Sequence, residues 1–289
     1  MASTLETKPD PASETQKLKI YFLPNLLTAG NLFCGFVALT KIVEADLTPD
    51  ALGFVNWMPI KFALGAILLA CIFDLFDGRV ARMGGHESPF GREFDSLADL
   101  ISFGAAPAFL VHRVVLRDVF NGGYQELGWF IASIYLICGA FRLARFNCLS
   151  AMNLPGAGKD FLGFPIPSAA GLVASLTLFI IKLNEKEKSL GHWAYLLPIV
   201  LVFLSAMMVS EVRYPSFKSL GLRSTTTFLK VVIGAIFLGC LFIFREKIIY
   251  YVLPLFFTAY LIYGFVRPHI SRAWRKEIEE DEDETTGAS

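Results

Sequence analysis

Apolar stretches of membrane length recur along most of the chain and constrain its fold more than any other feature. With 54% hydrophobic and 18% charged residues among 289, the sequence is too apolar for an ordinary soluble domain. A helix that crosses a bilayer needs about 20 mostly apolar residues. Hydropathy predicts eight such stretches, at roughly 22–43, 58–82, 95–116, 127–149, 165–183, 193–210, 228–245 and 248–267. We therefore predict an all-α, polytopic bundle of about eight transmembrane helices within residues 21–268. The fifth and seventh stretches are short enough to be re-entrant instead, so six or seven crossings remain possible.

Two polar ends flank this region. Residues 1–20 are rich in Thr, Ser, Glu and Pro and lack the charged-then-apolar order of a signal peptide, so we expect them to be disordered. Residues 269–289 include the acidic run EIEEDEDETTGAS, and we expect this end to be a solvated, disordered tail. The five cysteines have no metal-ligand spacing and are interpreted as small hydrophobic residues.

The distribution of basic residues predicts the orientation in the membrane. An even number of spans places both termini on one side of the bilayer. Of the 26 Lys and Arg residues, seventeen fall on the segments that would share this side and nine on the opposite segments. Because basic residues are enriched on the cytoplasmic side, we expect both termini and the connection after the second span to face the cytoplasm.

That connection lies within an acid-rich stretch, DLFDGRVARMGGHESPFGREFDSLAD, which runs from Asp74 to Asp99. Residues three or four apart share one face of a helix, so the acids should lie on two facing helix surfaces. The residues expected on the first surface are Asp74, Asp77, Gly78, Ala81 and Arg82, and those on the second are Gly91, Asp95 and Asp99.

Four carboxylates held together repel one another unless a cation neutralises them. An all-oxygen ligand set without Cys or His favours a hard divalent ion, Mg²⁺ or Mn²⁺, and such ions often complete their shells with substrate phosphates. Gly78 and Gly91 would let a ligand approach the backbone closely, and Arg82 would offer two donors to a phosphate. The pattern therefore indicates a metal-assisted site for a phosphate-containing substrate.

The spacing of these residues resembles a known signature. Asp74-x2-Asp77-Gly78-x2-Ala81-Arg82-x8-Gly91-x3-Asp95-x3-Asp99 matches that of the CDP-alcohol phosphatidyltransferase family at every defined position. Four further segments resemble the bacterial-type phosphatidylserine synthases within this family: NLLTAGNLFCG at 25–35, RLARFN at 142–147, FLGFPIPSAA at 161–170 and VRYPSFK at 212–218.

The resemblance implies an integral enzyme of the bacterial inner membrane, with its active site on the cytoplasmic side. It would transfer the phosphatidyl group from CDP-diacylglycerol to L-serine and release CMP, with two Mg²⁺ or Mn²⁺ ions. Members of the family are commonly homodimers, and no nucleic-acid partner is expected.

The resemblance also implies roles for single residues. Asp74, Asp77 and Asp95 would hold metal, and Asp99 would take the proton of the attacking hydroxyl and also contact the second ion. The donor-binding residues that it implies are Thr28, Asn31, Gly78, Ala81, Arg82, Ser88 and Gly91. Arg142 and Arg145 are one turn apart and would hold the serine carboxylate.

Other interpretations of the same residues are possible. The acceptor could be glycerol 3-phosphate or an inositol phosphate, although such acceptors would favour a more basic pocket. A membrane transporter would also carry buried acids, but its site would be expected near the bilayer midplane between repeats, and a non-catalytic membrane protein would not need the acids at all. Thr28 and Asn31 would fit simple helix packing, and the two arginines would fit anchoring at the lipid head groups.

Overall fold

Helices dominate the described part of the chain. The computed structural model describes residues 22–51, 55–83, 88–116, 125–152, 160–183, 195–215 and 248–266. Its α-helices are α1 Phe22–Glu44, α2 Met58–Met83, α3 Pro89–Asp99, α4 Ala106–Val111, α5 Gln125–Ala151, α6 Ile166–Leu183, α7 Leu196–Val209 and α8 Ile248–Val266. Two three-residue strands, β1 Asp160–Leu162 and β2 Arg213–Pro215, complete the described elements. The prediction of a helical, polytopic class is confirmed, with this short ladder as an addition that hydropathy did not predict.

Five helical segments are long and apolar enough to cross a membrane: Phe22–Glu44, Met58–Ala81, Pro89–Leu116, Glu126–Ala151 and Ile166–Leu183. Leu196–Val209 and Tyr250–Gly264 are shorter apolar helices. The predicted stretch at 228–245 and both predicted tails lie outside the described residues. The count of eight spans therefore stays a prediction.

The third span starts earlier than hydropathy predicted and is not a uniform α-helix. Ser88 caps its start, and Pro89 occupies the first helical position, where a missing N–H costs nothing. After Asp99 the helix widens into a π-helical segment, Leu100–Ala105, and a second one, His112–Leu116, follows α4. A π-turn holds one residue more than an α-turn and so rotates the side chains that follow it.

The helices enclose a largely apolar core that also contains buried polar side chains such as Asn31, and many large apolar side chains face outward. α1 packs along α2 and against α3, and α6 contacts α2, α7 and α8. Large apolar side chains such as Phe33, Phe36 and Phe141 are exposed, each by more than 60%. An outward apolar surface is what a helix bundle presents to lipid, because hydrocarbon offers no partner to polar groups.

The strands β1 and β2 pair antiparallel, with Phe161 opposite Tyr214 and Leu162 opposite Arg213. This ladder joins the segment before α6 to the segment after α7. It therefore holds two connecting segments together at the same end of the bundle.

Candidate active site

Three aspartates converge where α2 meets α3. Carboxylate oxygens of Asp74 on α2 and of Asp95 and Asp99 on α3 lie within 4.8 Å of one another, and we call these residues the aspartate cluster. Asp99 is 5% exposed. Three like charges in partly buried surroundings repel, and a hard divalent cation would relieve the repulsion through oxygen ligands. The donor set therefore fits a divalent metal ion.

Asp77 contacts the first helix. The Thr28 hydroxyl donates a hydrogen bond of 2.9 Å to Asp77 Oδ2, and Asp77 is 4% exposed. The sequence predicted Asp74, Asp77 and Asp95 as the main metal ligands, with Asp99 as the base. The structure brings Asp99 together with Asp74 and Asp95 and fixes Asp77 from α1, while the ligand roles themselves stay predictions.

The first helix also contacts Asp99. Asn31 is fully buried, and its side-chain Nδ2 donates a hydrogen bond of 3.0 Å to Asp99 Oδ1. Ser102 in the π-helical segment donates from Oγ to the main-chain oxygen of Asn31 at 2.9 Å. A Cβ added at Gly35 would overlap Ser102, so the close approach of the two helices requires glycine there. Thr28 and Asn31 thus lie beside the acids, and their donor-binding role stays a prediction.

Ser88 and Gly91 build the start of α3. The hydroxyl oxygen of Ser88 accepts a hydrogen bond of 3.0 Å from the Gly91 N–H, which is the contact of a helix N-cap. A Cβ added at Gly91 would lie 3.3 Å from Ser88 Oγ and 3.4 Å from Asn25 Oδ1. Helix capping explains the hydrogen bond that the Ser88 oxygen accepts, and the Ser88 hydroxyl can still donate its proton to another group. The predicted donor-binding role of Ser88 is not tested by this contact.

The other predicted donor-binding residues follow Asp77 on α2. Gly78 lies one turn after Asp74 and Ala81 lies one turn after Asp77, and both residues are half-buried. Arg82 belongs to the last turn of α2, and its side chain lies outside the described part of the structure.

The two predicted acceptor-binding arginines lie in different surroundings. Arg142 is 7% exposed and interacts electrostatically with the carboxylates of Asp99 and Asp74. Arg145, one turn further along α5, donates to main-chain carbonyls of the segments before α6 and at the end of α7, as with Leu162 O at 2.9 Å. Of the two, Arg142 is the one that interacts with the aspartate cluster, and the acceptor-binding role of each stays a prediction.

An aromatic group lies beside the β1–β2 ladder, and sequence reasoning did not assign it a role. Phe164 is fully buried, and its ring centroid lies 5.2 Å from that of Tyr214 and 5.7 Å from that of Tyr260. Burial raises the pKa of the Tyr214 phenol to about 12, so this group stays neutral and donates to the Leu261 carbonyl at 3.5 Å. The signal in the sequence was the pair of segments FLGFPIPSAA and VRYPSFK, which the β1–β2 ladder brings together.

Known proteins resemble this chain over most of its length. The sequence model of the family described as CDP-alcohol phosphatidyltransferase matches residues 21–210. The chain is 34% identical over 249 residues to the CDP-diacylglycerol–serine O-phosphatidyltransferase of Helicobacter pylori, a match that covers 86% of this chain and 91% of the relative. It is 32% identical to the Bacillus subtilis protein of that name, over 68% of this chain and 92% of the relative. An archaetidylserine synthase of Methanothermobacter thermautotrophicus is 30% identical, over 69% and 72%.

Proposed function

Because the chain belongs to the CDP-alcohol phosphatidyltransferase family, we propose that it transfers the phosphatidyl group of CDP-diacylglycerol to the hydroxyl of L-serine, giving phosphatidylserine and CMP. The observation that carries the proposal is the match to relatives named for this reaction, which extends over 91% and 92% of two of them. The aspartate cluster supports the proposal. It brings together Asp74 from the first half of the family signature and Asp95 and Asp99 from the second half, and such a group of carboxylates can hold the metal that the transfer requires.

The donor pyrophosphate belongs at the aspartate cluster. Asp74, Asp95 and Asp99 would hold Mg²⁺ or Mn²⁺, and we propose two ions, with Asp77 as a further ligand. Bound there, such ions stabilise negative charge on the phosphate oxygens. Thr28 orients Asp77 through its hydrogen bond, so the first helix sets the direction of one of the proposed metal ligands.

The acceptor belongs at Asp99 and Arg142. The serine hydroxyl oxygen attacks the phosphorus that carries the diacylglycerol ester, and the bond from this phosphorus to the CMP oxygen breaks. CMP leaves with the electron pair, and Asp99 takes the hydroxyl proton. The hydrogen bond from Asn31 fixes the rotation of the Asp99 carboxylate. Arg142 would hold the serine carboxylate beside it, because a guanidinium group binds a carboxylate through two parallel hydrogen bonds.

The remaining donor contacts are proposed from the family signature. The residues concerned are Thr28, Asn31, Gly78, Ala81, Arg82, Ser88 and Gly91. Their position supports the assignment for the first helix and the α3 N-terminus, since Asn31 and Thr28 contact the acids and Ser88 lies at the start of the helix that carries Asp95. A helix N-terminus favours an anion such as phosphate.

We also propose that the protein is a homodimer in the bacterial inner membrane with the aspartate cluster near the cytoplasmic surface. The excess of basic residues on one set of connecting segments supports this orientation. A reporter enzyme that is active only outside the cytoplasm, fused after Ser289, would be active if the orientation were reversed.

Native mass spectrometry of the purified protein in detergent tests the proposed homodimer. A single-chain mass alone would contradict it.

The reaction can be tested with purified protein. Radiolabelled L-serine, CDP-diacylglycerol and Mg²⁺ or Mn²⁺ should give a labelled lipid and stoichiometric CMP. The Asp99→Asn variant is the control for a contaminating activity. A parallel series with glycerol 3-phosphate and an inositol phosphate tests the acceptor. Transfer to either of these, with none to serine, would contradict the proposal.

A further inference from the structure

Arg145 connects three segments of the chain through main-chain carbonyls. Its Nη1 donates to Val209 O at 3.0 Å, and its Nη2 donates to Leu162 O at 2.9 Å and Ser210 O at 3.1 Å, with a longer contact of 3.4 Å to Met208 O. Two of these acceptors belong to the last turn of α7, where carbonyls have no partner within their own helix. An arginine placed there satisfies those carbonyls and complements the negative end of the helix dipole.

The turn after β1 is shaped to meet this arginine. Gly163 has φ +79°, a backbone conformation that residues with a Cβ rarely adopt. A Cβ at this position would overlap the Met208 carbonyl oxygen and lie 2.9 Å from Arg145 Nη2. The Gly163 N–H donates to Val212 O at 2.9 Å, so the same turn is bonded to the segment that leaves α7. We call Arg145, the turn at Gly163 and the end of α7 the Arg145 bracket.

The bracket leads directly to the candidate site. Phe164 follows Gly163, and its N–H donates to Met207 O at 3.0 Å. Helix α6 begins two residues later, and the Pro167 carbonyl accepts a contact of 3.6 Å from Cys71 Sγ. Cys71 lies one turn before Asp74 on α2, so the start of α6, which follows the bracket in the chain, contacts the helix that carries Asp74.

The two arginines of α5 therefore have different relationships to the acids. Arg142 interacts with Asp99 and Asp74, whereas the hydrogen bonds of Arg145 hold the neighbouring backbone. A carboxylate bound to Arg145 through two parallel hydrogen bonds would use Nη2, which already donates to main-chain carbonyls, so it would have to displace them and leave the end of α7 without its cap.

We propose that Arg145 is a positioning residue for the acceptor side of the site: it holds the turn at Gly163 against the end of α7 and does not contact serine. This inference rests on the proposed transfer to serine. Of the two arginines, only Arg142 then contacts the serine carboxylate.

The test compares four variants of the full-length protein in lipid nanodiscs. Arg145→Ala removes the side chain that donates to the carbonyls of the bracket. Gly163→Ala adds a Cβ that would overlap the Met208 carbonyl oxygen. Arg145→Lys keeps the charge but cannot reach carbonyls in two directions at once. Arg113→Ala is the matched control, because Arg113 also donates to a main-chain carbonyl, Ala45 O at 2.8 Å, at the far end of α1 from Asn31.

Two readouts are measured on each variant. Initial rates are recorded with serine and CDP-diacylglycerol varied separately, and hydrogen–deuterium exchange is followed in peptides that contain Gly163 and Phe164. In Arg145→Ala and Gly163→Ala we expect the KM for serine to rise about tenfold or more while the KM for CDP-diacylglycerol changes less than about twofold. Exchange at the two amides should be about tenfold faster or more in the same variants. Arg145→Lys should fall between these variants and the wild type, and Arg113→Ala should match the wild type in both readouts.

Two results would overturn the proposal. One is a higher KM for serine in Arg145→Ala with unchanged exchange, which would indicate direct contact with serine; the other is an Arg145→Ala protein with both readouts unchanged. If Gly163→Ala does not fold, Arg145→Ala and Arg145→Lys still decide the outcome. If the wild type does not use serine, the proposed function fails, and the exchange comparison still tests the bracket separately.

Discussion

The side-chain nitrogen of Asn31 donates a hydrogen bond of 3.0 Å to Oδ1 of Asp99, although 68 positions separate the two residues. Both residues are buried, and Ser102 holds the Asn31 backbone with a second hydrogen bond of 2.9 Å. The direction of the proposed base is therefore set by a different helix from the one that carries it. A residue that orients a metal-binding or catalytic carboxylate from outside affects activity without contacting the reacting atoms.

Replacement of Asn31 by Ala should lower kcat by about 10- to 100-fold, because Asp99 would lose the partner that fixes its rotation. The measurement is the initial rate at saturating serine and CDP-diacylglycerol. Asn56→Ala is the matched control. Asn56 accepts a hydrogen bond of 3.1 Å from the Met58 N–H and so caps the start of α2, whereas Asp74 lies in the second half of this helix. Activity of Asn31→Ala within about twofold of the control would contradict the orienting role.

Asp99→Asn should reduce turnover by about 10²- to 10⁴-fold, because the amide cannot accept the hydroxyl proton. We expect most of the donor affinity to remain, as measured by calorimetric titration with CDP-diacylglycerol in detergent. Asp77→Asn should weaken donor binding more strongly than Asp99→Asn. Equal loss of donor binding in both variants would argue against a separate role for Asp99 as the base.

Thr28→Val removes the hydroxyl that donates to Asp77 Oδ2 but keeps the volume of the side chain. If Asp77 helps to hold the metal, the Mg²⁺ concentration for half-maximal activity should rise about 10- to 100-fold. Thr28→Ser retains the hydroxyl and should behave like the wild type. An unchanged Mg²⁺ requirement in the valine variant would separate Asp77 from metal binding.

Gly35→Ala should destabilise the protein by about 1–3 kcal/mol, because a Cβ would overlap the Ser102 side chain and lie 2.7 Å from Ser102 Cα. Gly65→Ala is the matched control on α2, where an added Cβ meets nothing within 4 Å. Since alanine favours a helix over glycine by up to about 1 kcal/mol, the control should be neutral or stabilising. Thermal unfolding in one detergent measures both variants, and equal shifts would contradict the close contact of α1 with the π-helical segment.

Removal of divalent ions should abolish the transfer reaction, and Mg²⁺ or Mn²⁺ should restore it. Asp74→Asn should need a higher concentration of the restoring ion, because it removes one charge from the aspartate cluster. Asp46→Asn is the control, as Asp46 is exposed on the connection between α1 and α2. Full activity of the wild type in excess chelator would exclude the aspartate cluster as an essential metal site.

Much of this arrangement could be predicted from local sequence patterns. Hydropathy located the helices within a few residues in six of seven cases where the structure describes them, because an apolar stretch of sufficient length needs no tertiary contact to be recognised. The start of the third span was the exception. Hydropathy placed the start at 95, whereas the helix begins at Pro89, after the Ser88 cap, and its first turns are polar. Helical periodicity also predicted that Asp95 and Asp99 share one face, which the aspartate cluster requires.

Local patterns identify which segments are helical and which residues of each helix share a face, because both properties repeat within a few residues. Contacts between distant parts of the chain establish that Asn31 meets Asp99 and that Thr28 meets Asp77. They also give Arg142 and Arg145, one turn apart on α5, different partners. A membrane helix is apolar on nearly all sides, so its pattern does not identify its neighbours. Those neighbours are selected by close packing at small residues and by hydrogen bonds between helices, which depend on residues far apart in the chain.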